Sequence, residues 1–260
     1  MITVEKIFKI EEEIKSILAN TFYELRSTSP QNYVAFLANA DYCSYIKDYV
    51  IDNRMDKIRD KTRIDFLINY LNDYYSLIDE QPLLVKSEHQ IHVELMIYSH
   101  LWESKSFLKR LYQLANIANS SDYNWKLEIP ENSKHNYVRK IKQLFTNANN
   151  PLEFIIEKGF HSSLRNAFAH SDYSINFEQN CIILHNYKGK AWELQDIKLT
   201  DWSERFIYST MLSYHFINLS IEQRRGLVEF FGTNIFKIKY PPSNYANIVY
   251  RQNFDNFIFE

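Results

Sequence analysis

Apolar residues recur every three to four positions through most of the first 170 residues, the spacing that lays one face of a helix against a core. In the first stretch, residues 4–26, the recurring set is Ile7, Ile10, Ile14, Ile17, Leu18 and Leu25, and Ser27-Thr28-Ser29-Pro30 ends it. The same spacing predicts helices over 31–51 and 55–78, separated by Gln81-Pro82 from a long or twice-broken helix over 87–119. A polar loop containing Trp125 and Pro130 follows, then a short helix over 133–147 and one helix over 151–170, whose first turn suits Pro151. Beyond 170 the period shortens to two. Residues 174–177 and 181–184, a Lys188-Gly189 turn, and residues 191–194 and 197–199 predict a small antiparallel hairpin. Thr200-Asp201, with Glu204 at capping-box spacing from Asp201, predicts the start of a late helix that runs to about Leu227 and carries Arg224 and Arg225 in its last turn. Residues 232–260 contain Pro241-Pro242 and no helical period, which predicts irregular segments or a strand packed on the body.

The fold class expected from this pattern is mainly α, with a small antiparallel β-hairpin, at about 173–199, inserted before a late helix. No linker marks a boundary, so residues 1–86 are expected to join the same body as a helical core over 87–231, with 232–260 as an irregular C-terminal tail. Composition agrees: four Gly against 19 Tyr and 18 Phe disfavour a turn-dense all-β chain and favour aromatic-packed helices. A net charge of −2, from 30 basic and 32 acidic side chains, argues against a whole-molecule field for nucleic acid and leaves only a local patch available. Cys43 and Cys181 have no CxxC spacing, so neither a disulfide framework nor a zinc cluster is indicated. The first residues form a charged amphipathic segment, and no run approaches the roughly 18 apolar residues of a membrane span, so a cytoplasmic protein with no membrane partner is expected.

The chemistry concentrates in Arg165-Asn166-Ala167-Phe168-Ala169-His170. At about 100° per residue, Leu164, Ala167 and Phe168 share one helix face, while Ser162, Asn166 and His170 stack along another. Arg165 lies at the edge of the polar stripe, and its long side chain can swing toward His170. This segment resembles the defining motif of the HEPN superfamily: Arg, a polar residue, then His after a gap of four to six residues at a helix end. The following Ser171-Asp172-Tyr173 resembles the polar-aromatic extension of many members. In a toxin subgroup paired with a small nucleotidyltransferase, a Tyr stands two positions after the His; here Asp172 occupies that place and Tyr173 is third, which speaks against regulation by modification of that Tyr.

The resemblance implies a HEPN-like helical bundle and a homodimer in which two copies of the 151–170 helix meet around one composite site. It also implies a metal-independent endoribonuclease with a defence or toxin-like role, RNA as substrate, an antitoxin or inhibitor protein as partner, and no cofactor. The candidate catalytic residues are Arg165, Asn166 and His170. An imidazole can take or give a proton near neutrality, and a guanidinium can neutralise a phosphate as charge builds. Asn166 can orient the imidazole or bind a phosphate oxygen. His161, Glu103 and Tyr173 are secondary candidates: His161 can line the same cleft, and Glu103 can reach Arg165 from a neighbouring helix or lie on a solvated face. Structural readings stand beside these, since an Arg and a His at a helix end also cap carbonyls or pair with Asp172. A non-catalytic HEPN-like module binding RNA, a nucleotide or a partner protein is the alternative function. The run Glu88, His89, His92, Glu94 lacks HExxH spacing, so no metal site is expected. Tyr98, Trp102, Phe107 and Tyr112 read as core, and Arg224-Arg225 as a helix-end pair with a weaker claim on an RNA backbone.

Overall fold

A computed structural model describes residues 2–51, 54–75, 87–130, 134–185 and 193–260. The first helix, α1 (Val4–Thr28), starts where the Thr3 hydroxyl accepts from the Lys6 amide. It buries the predicted stripe of Ile7, Ile10, Ile14, Leu18 and Leu25. Pro30 opens α2 (Pro30–Leu37), which stops well short of the predicted 31–51 helix. In place of its second half stands a hairpin, β1 (Asp41–Cys43) and β2 (Asp48–Val50). Asn39 and Lys47 adopt positive φ, and the cross-strand pair Tyr42–Tyr49 packs ring to ring at 4.9 Å, an arrangement that tyrosines favour over a helix. The helix predicted over 55–78 is α3 (Arg54–Tyr74) within the described residues.

The stretch predicted as one long or twice-broken helix is α4 (Glu88–Glu103) and α5 (Lys105–Ala118), broken once at Ser104, whose hydroxyl caps α5 through the Phe107 amide. After α6 (Lys134–Asn147), the predicted 151–170 helix is two helices, α7 (Leu152–Gly159) and α8 (Ser162–His170). The periodicity hides the break because Leu152, Ile155 and Ile156 and then Leu164, Ala167 and Phe168 each keep helical spacing. Phe160 and His161 are extended, and the Arg205 guanidinium donates to the carbonyls of Glu157 and Phe160 at 2.9 and 3.0 Å, satisfying the end of α7. The His161 Nδ1 then accepts the Ser163 amide and starts α8.

Three strands follow: β3 (Tyr173–Asn176), β4 (Cys181–Leu184) and β5 (Asp196–Lys198), in one antiparallel sheet of that order. The expected hairpin is thus a small sheet. Glu193 and Leu194 lie outside any strand, while the predicted turn at Lys188-Gly189 and the residues Ala191-Trp192 lie outside the described residues. Strand β5 runs directly into α9 (Leu199–Arg225), so Lys198 occupies the N-cap and Asp201 sits in the first turn rather than capping it.

Helix α9 is the centre of the molecule, packed against α1, α3, α4 and α7. Trp202, Phe206, Ile207, Leu212 and Phe216 are all buried, and small hydroxyl residues permit close approach on the remaining faces. Ser203, Thr210 and Ser220 return their protons to the carbonyls of Leu199, Phe206 and Phe216 at 2.7 to 2.9 Å. The Trp102 indole donates to the Ser209 hydroxyl, which donates to the Gly159 carbonyl, so α4, α9 and the end of α7 are tied in one chain. A Cβ at Gly159 would stand 3.2 Å from the Ser209 Oγ and 3.4 Å from the Trp102 ring, so a larger residue there would press on this chain.

After α10 (Leu227–Phe231), the tail expected to be irregular is a three-stranded antiparallel meander: β6 (Ile235–Tyr240), β7 (Asn244–Arg251) and β8 (Asn256–Phe259). Its inward set is Phe236, Ile238, Ile248, Tyr250 and Phe257, an alternation masked in the sequence by exposed aromatics such as Tyr245 and Phe254. Pro241 and Pro242 fall in the β6–β7 turn, where a strand hydrogen bond is not required of them. The sheet is anchored by Arg224, which makes two hydrogen bonds to Asp255 at 2.7 and 2.8 Å.

Candidate active site

Helix α8 positions the motif. Leu164, Ala167 and Phe168 are buried, which fixes its rotation, leaves Arg165 and Asn166 half-buried and turns His170 to the surface. The helix ends at Ser171 in the left-handed conformation (φ 57°), whose amide returns to the Phe168 carbonyl while the Asp172 amide returns to Ala167. The chain then enters β3, so the sheet begins three residues beyond His170.

Arg165 is held from two sides. One terminal nitrogen, Nη2, pairs with the Glu103 carboxylate at the end of α4, and the other, Nη1, donates to the Asn166 side-chain carbonyl at 2.6 Å. Glu103 also accepts from the Lys134 Nζ at 2.8 Å, at the start of α6. Two cations therefore share one carboxylate, which leaves a net positive charge beside the polar face of α8. Burial lowers the Arg165 pKa from its ordinary value, with the Tyr98 hydroxyl opposing the shift. Of the candidates, the structure brings Glu103, Arg165 and Asn166 together. Asn166 engages Arg165, an arrangement that differs from its expected action on the imidazole.

His161 serves the backbone. Its amide donates to the Tyr98 hydroxyl at 2.8 Å, and its ring caps α8. Burial and then the charge of Arg205 depress its pKa, so its neutral form is favoured. Tyr173 faces α4: its hydroxyl lies 2.7 Å from the His92 Nδ1, and the His92 Nε2 lies 3.6 Å from Glu88. Its ring packs edge-on against Phe168 at 5.2 Å, and burial raises its pKa.

The run Glu88, His89, His92, Glu94 is split between surface and core. Glu94 is fully buried, 2.5 Å from the Tyr75 hydroxyl and 2.8 Å from the Trp202 indole nitrogen, with Gln90 donating at 3.1 Å and Tyr70 at 3.4 Å. Among the described residues no three His, Cys, Asp or Glu side chains gather in a way that could hold a metal ion. Of the Arg224-Arg225 pair, Arg224 is 6% exposed and paired with Asp255, whereas Arg225 is exposed and lies 3.6 Å from the same carboxylate. Tyr98, Trp102 and Phe107 are core, as their spacing indicates.

Sequence reasoning missed Lys134 and Arg205 and read Tyr98 only as core; these residues hold Glu103, the α7–α8 break and the His161 backbone in place. Each lies far from the motif in sequence, and a single Lys, Arg or Tyr on an amphipathic helix carries no signal of its partner. It also missed an apolar groove of about 870 Å³ beside the motif, between α3, α4 and the α8–β3 corner, whose lining includes Glu103, Ser171 and Tyr173. Among the described residues, no helix is long and apolar enough to cross a membrane. In comparisons with known proteins, no family model, no curated protein and no solved structure matches the chain.

Proposed function

We propose that the chain is a HEPN-type endoribonuclease that cuts RNA without a metal, acting as a cytoplasmic homodimer in a defence or toxin-like role. The observation that carries this reading is the pairing, on one nine-residue helix, of an exposed terminal imidazole with a guanidinium held at a net positive cluster. Arg165 and Lys134 outnumber Glu103 in charge, which suits a phosphodiester, and His170 is open to solvent at the helix end. In the proposed reaction one His170 removes the ribose 2′-hydroxyl proton and the 2′-oxygen attacks the adjacent phosphorus. The 5′-oxygen leaves with a proton from the partner's His170, giving a 2′,3′-cyclic phosphate and a 5′-hydroxyl. Arg165 neutralises the charge that builds on the phosphoryl oxygens. The dimer would bring two α8 ends together; an antitoxin or inhibitor protein would act by covering them.

One observation favours a second reading. Both terminal nitrogens of Arg165 already have partners in the chain, Glu103 and Asn166, as expected of a residue that shapes a binding surface without catalysis. A non-catalytic module for RNA, a nucleotide or a partner protein would look the same. Incubating the purified protein with total RNA in EDTA separates the two. Cleavage that leaves cyclic phosphate ends and is abolished in His170→Ala, with the melting temperature unchanged, supports the nuclease. Binding with intact RNA, or cleavage indifferent to His170→Ala, rejects it.

A further inference from the structure

The groove between α3, α4 and the α8–β3 corner has the volume of a small-molecule site, about 870 Å³, and mostly apolar walls. Two of those walls are exposed to an unusual degree for their type: Phe66 on α3 at 52% and Met96 on α4 at 71%. Phe168 and Tyr173 close the side nearest the motif, and their perpendicular packing makes a rigid aromatic corner. The hydroxyl of Tyr173 is fixed by His92, which lines the same groove. Ser99 also lines the groove, and its Oγ is buried with no hydrogen-bond partner among the described residues. Ser99 as a whole is half-buried, so a turn of its side chain would bring this orphaned hydroxyl into the groove, where a ligand's polar edge would pair with it.

We propose that this groove is a nucleobase-binding subsite. Its apolar walls suit the faces of a base, and Ser99 and the His92–Tyr173 pair suit its edge. The choice of a nucleobase rests on the nuclease reading, because Ser171, which lines the groove, directly follows His170, and Glu103, which also lines it, holds Arg165. A base entering here would belong to a nucleotide flanking the scissile phosphate, or to a free mononucleotide in the same place. Stacking of this kind is worth about 1–3 kcal/mol per base and tolerates sequence, whereas a hydroxyl on the base edge discriminates.

Titration of AMP, GMP, CMP and UMP, and of a 2′-O-methyl RNA 10-mer that cannot be cut through its 2′-oxygen, tests the subsite without relying on cleavage. Wild type, His170→Ala, Ser99→Ala and Met96→Glu are compared. Met96 is mostly solvent-exposed, so Met96→Glu is expected to fold as wild type does. The expected result is binding that survives His170→Ala, weakens tenfold or more in Met96→Glu, and weakens about two- to tenfold in Ser99→Ala with an altered order among the bases. Binding of the mononucleotides assigns the groove to free nucleotides as well; binding of the 10-mer alone assigns it to RNA. Two results overturn the subsite even where His170-dependent cleavage stands: no binding of any probe, or binding indifferent to both groove variants. Conversion of a dimer to a monomer by Met96→Glu also overturns it, by making this face a contact between copies. Groove-dependent binding with no cleavage retains the subsite and rejects the nuclease.

Discussion

Glu94 and Glu103 project from the same helix and meet opposite partners. Glu94 is fully buried, and among the described residues it accepts from neutral donors, the hydroxyls of Tyr70 and Tyr75, the Gln90 amide and the Trp202 indole, which come from α3, α4 and α9 and the residue after α3. Glu103, at the C-terminal end, keeps 30% of its side chain exposed and meets two cations, Arg165 and Lys134, from α8 and α6. A carboxylate ringed by neutral donors locks helices together and is sealed from any ligand. A carboxylate shared by two cations leaves positive charge over and stays within reach of solvent. The kind of partner, more than burial alone, separates a residue that builds the core from one that prepares a site.

The largest effect expected from this contrast is on stability. Glu94→Ala orphans several buried donors at once, at about 1–3 kcal/mol for each that finds no water. A loss on the order of 4 kcal/mol, or roughly 10 °C in Tm at this chain length, should appear in thermal melts. Glu94→Gln, which keeps one acceptor, should recover part of it. A melt within about 2 °C of wild type for Glu94→Ala would break the comparison, since Glu94 would then not be holding α3, α4 and α9 together.

Glu103→Gln should do the reverse, costing about 1 kcal/mol of stability while changing function more. Removing the negative charge adds one to the local positive charge, so RNA should bind more tightly at low salt. Arg165 loses the carboxylate that orients it, so cleavage at saturating RNA should fall about tenfold. Tighter binding with slower turnover, a fall in both Kd and kcat, identifies Glu103 as a positioning residue; slower turnover with weaker binding, or unchanged turnover, denies that role.

How far the sequence reveals these two carboxylates depends on the range of the contacts. The motif helix, its two faces and its terminal His170 are local, and the 3.6-residue period displays them directly. The possible reach of Glu103 to Arg165 was visible only as an option, because Lys134 and Arg165 come from helices far along the chain. The core role of Glu94 is hidden for the same reason: its donors include residues 70, 75 and 202, far from it along the chain. Three element errors share a second cause, that apolar spacing survives a change of backbone. The α7–α8 break keeps the helical period across Phe160 and His161, the Tyr42–Tyr49 hairpin carries apolar rings where a helix was expected, and the C-terminal meander hides its alternation under exposed aromatics.

A third carboxylate extends the comparison to pH. Glu11 on α1 lies 3.3 Å from the His215 Nε2 on α9, and burial, opposed by Glu11, pushes the His215 pKa down to about 4. An unfolded histidine titrates near 6.5, so between these values the unfolded chain binds the extra proton. Stability is therefore full above about pH 6.5 and declines as pH falls toward 4; the depressed pKa values of His135 and His161 act in the same direction. A drop from pH 7 to pH 5 should cost on the order of 1–2 kcal/mol, about 3–6 °C in Tm, and His215→Gln should lessen that drop. An equal drop in His215→Gln would show that Glu11 stabilises the charged imidazole enough to cancel burial, placing it with Glu103 rather than with Glu94.

The smallest effect concerns the end of α8, where the site rather than the core carries the strain. Ser171 adopts φ 57° and ψ 27°, a left-handed conformation that costs a residue with a Cβ more than it costs glycine. Its amide closes the helix onto Phe168, so the conformation is imposed by the turn that carries the chain from His170 into β3. Ser171→Gly removes the steric cost but also loosens the unfolded chain, and the two effects partly cancel. The net gain should be about 0.5 kcal/mol, or 1–2 °C in Tm. If the same variant lowers His170-dependent cleavage, the left-handed serine is holding the imidazole in place at the expense of stability, and the contrast between a core built for stability and a site built for position extends from side chains to backbone. If stability falls instead, the Ser171 side chain contributes packing at the groove that outweighs its strain.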